Sequence, residues 1–156
     1  RQDPRGVRFA ALATHTGGGA LWHTYGAEFD DDDADDNLET GQHLEVPDML
    51  DFWYGGSPTD VPFAYQSHTV LDMDPFGALG LDTHMLVNLV HVPVRFYMAQ
   101  NDPIGYIRDQ HQAVYNSFVI LGGQADLVQM PGTTHSWTTL DETAVCDWLS
   151  LHTLSA

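Results

Sequence analysis

The pattern of apolar and polar positions is clearest at the two ends of the chain. Residues 6–14 form an apolar run that stops before three consecutive glycines, Gly17–Gly19. This pattern predicts a short buried strand followed by a tight turn. Residues 46–82 show weak periodicity, with one short helix predicted at Asp48–Tyr54. From residue 84 onward the periodicity is regular again.

The C-terminal part of the chain alternates strand-like and helix-like segments. Val92–Met98 and Ala125–Met130 are apolar runs that predict two strands. Apolar residues recur between them at helical spacing, and two glycines then end the helix. These apolar residues are Ile107, Val114, Phe118 and Leu121. A capping box at residues 139–142 predicts a last amphipathic helix. The order strand, helix, strand, helix predicts an α/β fold with a parallel sheet and a right-handed crossover.

The middle of the chain is rich in proline, glycine and aromatic side chains. Its aromatic residues are Phe52, Trp53, Tyr54, Phe63, Tyr65 and Phe76. A cap over a pocket would have this composition, and so would a small satellite core. The sequence leaves both interpretations open.

The charge is strongly one-sided. Twenty-two acidic residues accompany five arginines and no lysine, so the net charge is −17. Such a surface repels phosphate groups, which argues against nucleic-acid and anionic-membrane partners. No apolar run is long enough to span a membrane. The composition favours adaptation to high salt, with an acidic secreted protein as the alternative.

Eight of the acids fall within the twelve residues Glu28–Glu39. Calcium binding is one interpretation, but the glycine and glutamate positions of an EF-hand loop are absent in every register. We therefore favour a solvated acidic loop and predict no metal site. The histidines show no zinc-ligand spacing, and the single cysteine, Cys146, is predicted to lie in the core of the last helix.

Two residues with catalytic potential follow the two predicted C-terminal strands. Asp102 comes after the first, and His135 follows the second, 33 residues later. Functional groups of open parallel sheets collect beyond the carboxyl ends of the strands. If the two strands are neighbours, both side chains leave the same edge close together. A carboxylate beside an imidazole is the pairing that a general base for a hydroxyl nucleophile needs. Asp102 before Pro103 also fits a helix N-cap.

Three segments resemble the C-terminal part of an α/β-hydrolase. They are the Val92-Pro-Val strand with Gln100-Asn-Asp-Pro103, the loop Pro131-Gly-Thr-Thr-His135-Ser-Trp137, and Val145-Cys-Asp-Trp-Leu149. The resemblance implies that Asp102 and His135 are the acid and base of a catalytic triad. It also implies hydrolase core at residues 1–20 and 91–156, with a cap inserted at 21–90. Trp53, Tyr54 and Trp137 are then expected to bind substrate.

The departure from the family is the missing nucleophile. No serine of the chain stands in the G-x-S-x-G context that precedes the acid and base in this fold. We therefore expect an N-terminal half chain that carries the serine, and cleavage of a small or polymeric ester or amide without a cofactor. A secreted or extracellular location is expected. The alternatives are a non-catalytic partner chain and a calcium-stabilised binding module built on Asp30–Asp36.

Overall fold

The computed structural model describes residues 9–15, 20–21, 24, 46–71, 84–102, 105–131 and 140–153. The chain divides into two compact units, one formed by residues 1–18 with 84–156 and the other by residues 19–83. The helices are, in chain order, α1 (Val46–Tyr54), α2 (Pro62–His68), α3 (His84–Val87), α4 (Gly105–Ile120) and α5 (Glu142–Ser150).

The larger unit is built on a parallel sheet. Its strands are β1 (Leu12–His15), β2 (Val94–Ala99) and β3 (Ala125–Met130), and they lie in the order β1-β2-β3. Both strand pairs are parallel, with β2 at the centre. The predicted α/β class with a parallel sheet is confirmed. The prediction for β3 was right at both ends, whereas β2 begins and ends slightly later than its pattern indicated.

The first strand differs from its prediction. The apolar run at residues 6–14 predicted a buried strand, but β1 begins only at Leu12 and its residues are half-buried or exposed. Phe9, within the apolar run, precedes the strand and is 56% exposed. The reason is pairing: Leu12 is the residue that aligns with the start of β2 at Val94, and its N–H donates to the carbonyl of Pro93. The apolar composition of residues 6–14 does not show which of them aligns with β2, so it could not predict the first residue of the strand.

Helix α4 covers one face of the sheet. It packs on β2 and β3, and α3 packs against it. Phe96 of β2 lies under this helix, with its ring 5.4 Å from His111, 5.5 Å from Tyr115 and 6.2 Å from Phe118 between centroids. The helix ends as predicted at the glycine pair, where Gly122 adopts a φ of +87° that residues other than glycine rarely adopt.

The opposite face of the sheet is covered by the last helix. Successive residues of a strand point to opposite faces, so Tyr97 and Ala99 face away from Phe96. Tyr97, Ala99 and Met130 form a buried cluster, and Val145 of α5 packs against it. With helices on both faces, the central strand β2 is buried in the manner typical of parallel strands, whereas β1 and β3 keep exposed residues.

Two predictions for α5 were wrong. The N-cap is Asp141, whose Oδ1 accepts a hydrogen bond of 3.0 Å from the N–H of Ala144. The capping box at residues 139–142 predicted Thr139 as the N-cap, two residues earlier. Thr139 itself lies outside the described residues. Cys146 is exposed, not part of the core. Trp148 and Val145 are on the side of the helix that faces the sheet, and Cys146, one position after Val145, is turned about 100° away from it.

The smaller unit contains α1 and α2. Leu50 of α1 and Tyr65 of α2 are buried, at 6% and 1% exposure. The rings of Tyr54 and Tyr65 are 4.8 Å apart, and the Tyr65 hydroxyl donates to Asp51 at 3.5 Å. The two helices therefore pack on each other through aromatic contacts.

Candidate active site

The central strand carries the predicted acid to the edge of the sheet. Asp102 is the third residue after the end of β2 and is only 5% exposed. Burying a carboxylic acid group is costly unless its surroundings offer polar partners. Asp102 therefore lies where the sequence predicted it, beyond the carboxyl end of a parallel strand.

The carboxyl ends of β2 and β3 are held side by side. Ala99 is aligned with Met130, and beyond them the N–H of Gln100 approaches the Met130 carbonyl at 3.4 Å. The side-chain amide of Gln100 also donates to the Oε1 of Gln129, at 2.6 Å. The condition set by the sequence, that the two strands are neighbours, is therefore fulfilled.

The predicted base lies outside the described residues. His135 and Trp137 belong to residues 132–139, which the structure does not describe. The segment that contains them follows Met130 and Pro131 in the chain, after the strand end that is adjacent to the end of β2. The pairing of Asp102 with His135 stays a prediction.

The other two predicted substrate-binding residues lie in the smaller unit. Trp53 of α1 is 65% exposed, and Tyr54 is half-buried against Tyr65 and His68. The Nδ1 of His68 is 2.8 Å from the Ala64 carbonyl, so the proton on this nitrogen is donated to the backbone.

Helix α4 itself contains buried polar residues that the sequence pattern did not predict. Gln110 and His111 are fully buried, at 0% and 1% exposure, and Ser117 is 9% exposed. His111 stands four residues after Ile107 and seven before Phe118, on the same helical stripe. Counting only apolar positions missed it, although the spacing alone would have placed it in the core.

A charged and aromatic stack fastens α5 to the sheet. The guanidinium of Arg95 binds Asp126 through Nη2 at 2.8 Å and Nε at 3.3 Å. Its central carbon lies 4.8 Å from the ring centroid of Trp148, and that ring lies 4.6 Å from His152. Desolvation lowers the pKa of Arg95, but the carboxylate of Asp126 raises it, and the net shift is upward. The charged side chain thus links β2 to Asp126 of β3 and to Trp148 of α5.

The described residues offer no clustered metal ligands and no membrane-spanning helix. In the described ranges, no three or more histidine, cysteine, aspartate or glutamate side chains are grouped so that they could hold a metal ion. The acidic run at Asp30–Asp36 lies outside those ranges. None of the described helices has the length and hydropathy needed to cross a membrane.

The fold and the site together define a parallel α/β protein with a buried aspartate beyond its central strand. Comparison with known proteins adds nothing to that class. No protein-family model, curated protein or solved structure matches the chain.

Proposed function

We propose that this chain is the C-terminal part of an α/β-hydrolase, and that it supplies the acid and base of a catalytic triad whose serine is on another chain. One observation carries the proposal. Asp102, with 5% exposure, follows the central strand at the edge where the neighbouring strand leads into the loop of His135. The proposal also rests on the sequence resemblance of the segments that carry these two residues.

The reach of the chain supports the pairing. His135 is five residues beyond Met130, and five extended residues span up to about 17 Å. Met130 lies beside Ala99, three residues before Asp102. The loop is therefore long enough to bring the imidazole to the carboxylate from the adjacent strand.

The chemistry follows from this pairing. The Asp102 carboxylate accepts the Nδ1 proton of His135, which leaves Nε2 as the base that removes the proton of the serine hydroxyl. The serine oxygen attacks the carbonyl carbon of the ester or amide, and the imidazolium returns the proton to the leaving group. Water then hydrolyses the acyl-enzyme by the same route. These steps use amino-acid side chains and need no cofactor.

The serines of the chain support a nucleophile supplied from elsewhere. Ser57 donates to Asp60 at 2.6 Å in an exposed loop, and Ser150 donates to the Asp147 carbonyl at the end of α5. Ser117 is buried in the last turn of α4. Each of these three positions differs from the exposed strand-to-helix turn that an elbow serine occupies.

The sheet supports a partner that adds further strands. In the described part of the chain β1 pairs only with β2, so one of its edges is available for another strand. Parallel sheets are normally buried and have their edges covered. The proposed N-terminal half would pair that edge and bring the serine to the carboxyl ends of the strands.

The proposed substrate is an ester or amide of a small molecule or a polymer. In this account residues 21–90 form a cap, and Trp53, Tyr54 and Trp137 contact the acyl or leaving group. Aromatic side chains suit apolar groups of many shapes. The proposal includes secretion or a saline environment, because the acidic composition resists salt.

The test is activity-based labelling of the native material. A fluorophosphonate reacts with an activated serine, so it should label a second polypeptide that co-purifies with this chain. Pre-incubation with an activated ester should protect that polypeptide. A strictly monomeric 17.3 kDa species, folded and unlabelled without any partner, would contradict the proposal.

A further inference from the structure

Strand β3 lies at one end of the sheet. Within the described residues it pairs only with β2, so its other edge is available. The N–H of Val94 donates to the carbonyl of Gln124, and the N–H of Gln100 donates to the carbonyl of Met130. Backbone groups alternate in direction along a strand, so those of the odd-numbered residues of β3 point away from β2. These residues are Ala125, Leu127 and Gln129.

Helices α4 and α5 leave this edge uncovered. Asp126 is aligned with Arg95 and lies on the face of α5, whereas Gln129, three residues later, lies on the face of α4. Both Asp126 and Gln129 are exposed. The strand also lacks features that usually protect an open edge, because it forms six aligned pairs with β2 without a bulge and contains no proline or lysine. Its single charge, on Asp126, is paired with Arg95 at 2.8 Å.

We propose that the free edge of β3 pairs antiparallel with β3 of a second copy of this chain, with a two-fold axis at Leu127. The two three-stranded sheets would then form one continuous sheet with both β3 strands at its centre. A two-fold interface uses the same surface on both copies, so the edge must be complementary to itself. This inference does not depend on the proposed hydrolase activity.

The outward-facing residues of β3 are self-complementary about Leu127. With the axis at this position, Leu127 opposes Leu127 of the second copy, and Ala125 opposes Gln129 on each side. Each of these pairs consists of residues whose N–H and C=O groups face each other, so each exchanges two hydrogen bonds. The next outward position, Pro131, has no N–H and ends the ladder there.

Charge and proline also select this register. It places Asp126 opposite Val128 of the second copy, away from the other Asp126. An axis at Asp126 would set the two carboxylates directly opposite each other, which destabilises a strand pair. An axis at Val128 would set Ala125 opposite Pro131, which cannot donate a hydrogen bond. The edge is therefore best matched by itself, in one register.

Salt and the position of β3 set the conditions for this association. Each copy has a net charge of −17, and the repulsion opposes association in dilute buffer. At 1 M salt the range of that repulsion falls to about 3 Å, so the dimer should form more readily there. Because β1 and β3 lie at opposite ends of the sheet, a second copy would leave the edge of β1 available to the proposed N-terminal half.

The first experiment is sedimentation equilibrium in 1 M KCl of the wild type, Gln129→Pro and Gln129→Ala. Proline removes an N–H that points away from β2, so the ladder within the chain is kept while the one between copies loses bonds. We expect the dissociation constant of the dimer to rise about tenfold in Gln129→Pro. Gln129→Ala also loses the side-chain bond to Gln100 but keeps the N–H, so it should dimerise as the wild type does. Circular dichroism verifies that the variants are folded.

Disulfide cross-linking tests the register independently. The exposed Cys146 is first replaced by serine. In that background Leu127→Cys should give a covalent dimer on non-reducing gels, since the Cα atoms of a hydrogen-bonded antiparallel pair are about 5.5 Å apart, within disulfide range. Gln129→Cys is the matched control, because its two cysteines would be four residues apart along the ladder, about 13 Å.

Three results would overturn the proposal. The first is a wild type that is monomeric at every concentration in 1 M KCl. The second is a dimer that Gln129→Pro leaves as tight as Gln129→Ala does, which would assign the association to another surface. The third is cross-linking through Gln129→Cys in place of Leu127→Cys, which would exclude the register centred on Leu127.

Discussion

The side chains of Gln100 and Gln129 are joined by a hydrogen bond of 2.6 Å between Nε2 and Oε1. Gln129 is the penultimate residue of β3, and Gln100 directly follows β2. Because Asp102 comes two residues later, this amide pair extends the contact between the two strands up to the candidate site. The predicted acid thus leaves the sheet from a point that is tied to the neighbouring strand.

The amide pair should show coupling in a double-mutant cycle. Gln100→Ala and Gln129→Ala should each lower the free energy of unfolding, and the double variant should cost less than the sum of the two. We expect a coupling energy of about 0.5–1 kcal/mol, because both side chains are exposed and water competes for the bond. Urea unfolding of the four proteins measures it. Strict additivity would show that the bond contributes nothing to the junction of the strands.

The end of α4 should be sensitive to a single methyl group. A Cβ added at Gly123 would overlap the ring of Phe118, a buried core residue that also accepts the Gly123 N–H through its carbonyl. Gly123→Ala should therefore destabilise the protein by about 1–3 kcal/mol, the usual range for overpacking.

Gly105→Ala is the matched control. Gly105 lies in the first turn of α4, and a Cβ there would meet no atom within 4 Å. This change should leave the stability unchanged or raise it slightly, because alanine favours the helix. Thermal unfolding of both variants measures the difference in stability. An equal loss of stability in Gly105→Ala and Gly123→Ala would contradict the close packing of Gly123 against Phe118.

The stack on α5 should require arginine and not merely a positive charge. Arg95→Lys keeps the charge but loses the two-nitrogen contact with Asp126 and the planar face against Trp148. We expect a loss of about 1 kcal/mol in the free energy of unfolding. Arg108→Lys is the control, because Arg108 pairs only with the adjacent, exposed Asp109 among the contacts described. An identical effect of the two substitutions would refute the role of the stack.

The sequence allowed the sheet and its main crossover to be predicted because local rules and burial agree there. Ala125–Met130 is a short apolar run between a glycine pair and a proline, and it folds as β3 with the predicted bounds. The segment of α4 has apolar residues at helical spacing followed by a glycine pair, and the structure shows both the helix and its end at the glycines. The position of Asp102 beyond β2 follows from the same rule for parallel strands.

Other features depend on tertiary contacts that local patterns do not contain. The start of β1 at Leu12 is set by its register with β2. The exposure of Cys146 depends on which side of α5 meets the sheet. His111 is buried because its helix packs on the sheet, where its ring contacts the ring of Phe96 edge to face. Neither of the two interpretations of the middle segment predicted that Phe52 and Phe63 would be 84% and 78% exposed.

Salt should stabilise this protein. The chain has a net charge of −17 and no lysine, so repulsion between carboxylates opposes folding in dilute buffer. Screening shortens the range of that repulsion to about 3 Å at 1 M salt. The melting temperature should rise from low to molar KCl, measured by circular dichroism. A flat or falling dependence would contradict the adaptation to high salt.

The central claim is that Asp102 orients a catalytic histidine, and its most direct test is the kcat of Asp102→Asn in the assembled enzyme with an activated ester. The amide favours the wrong imidazole tautomer, so we expect a loss of up to about 10⁴-fold. Asp109→Asn makes the same change at an exposed residue of α4 and should retain wild-type activity. His135→Ala should abolish turnover. An Asp102→Asn enzyme as active as the Asp109→Asn control would contradict the account.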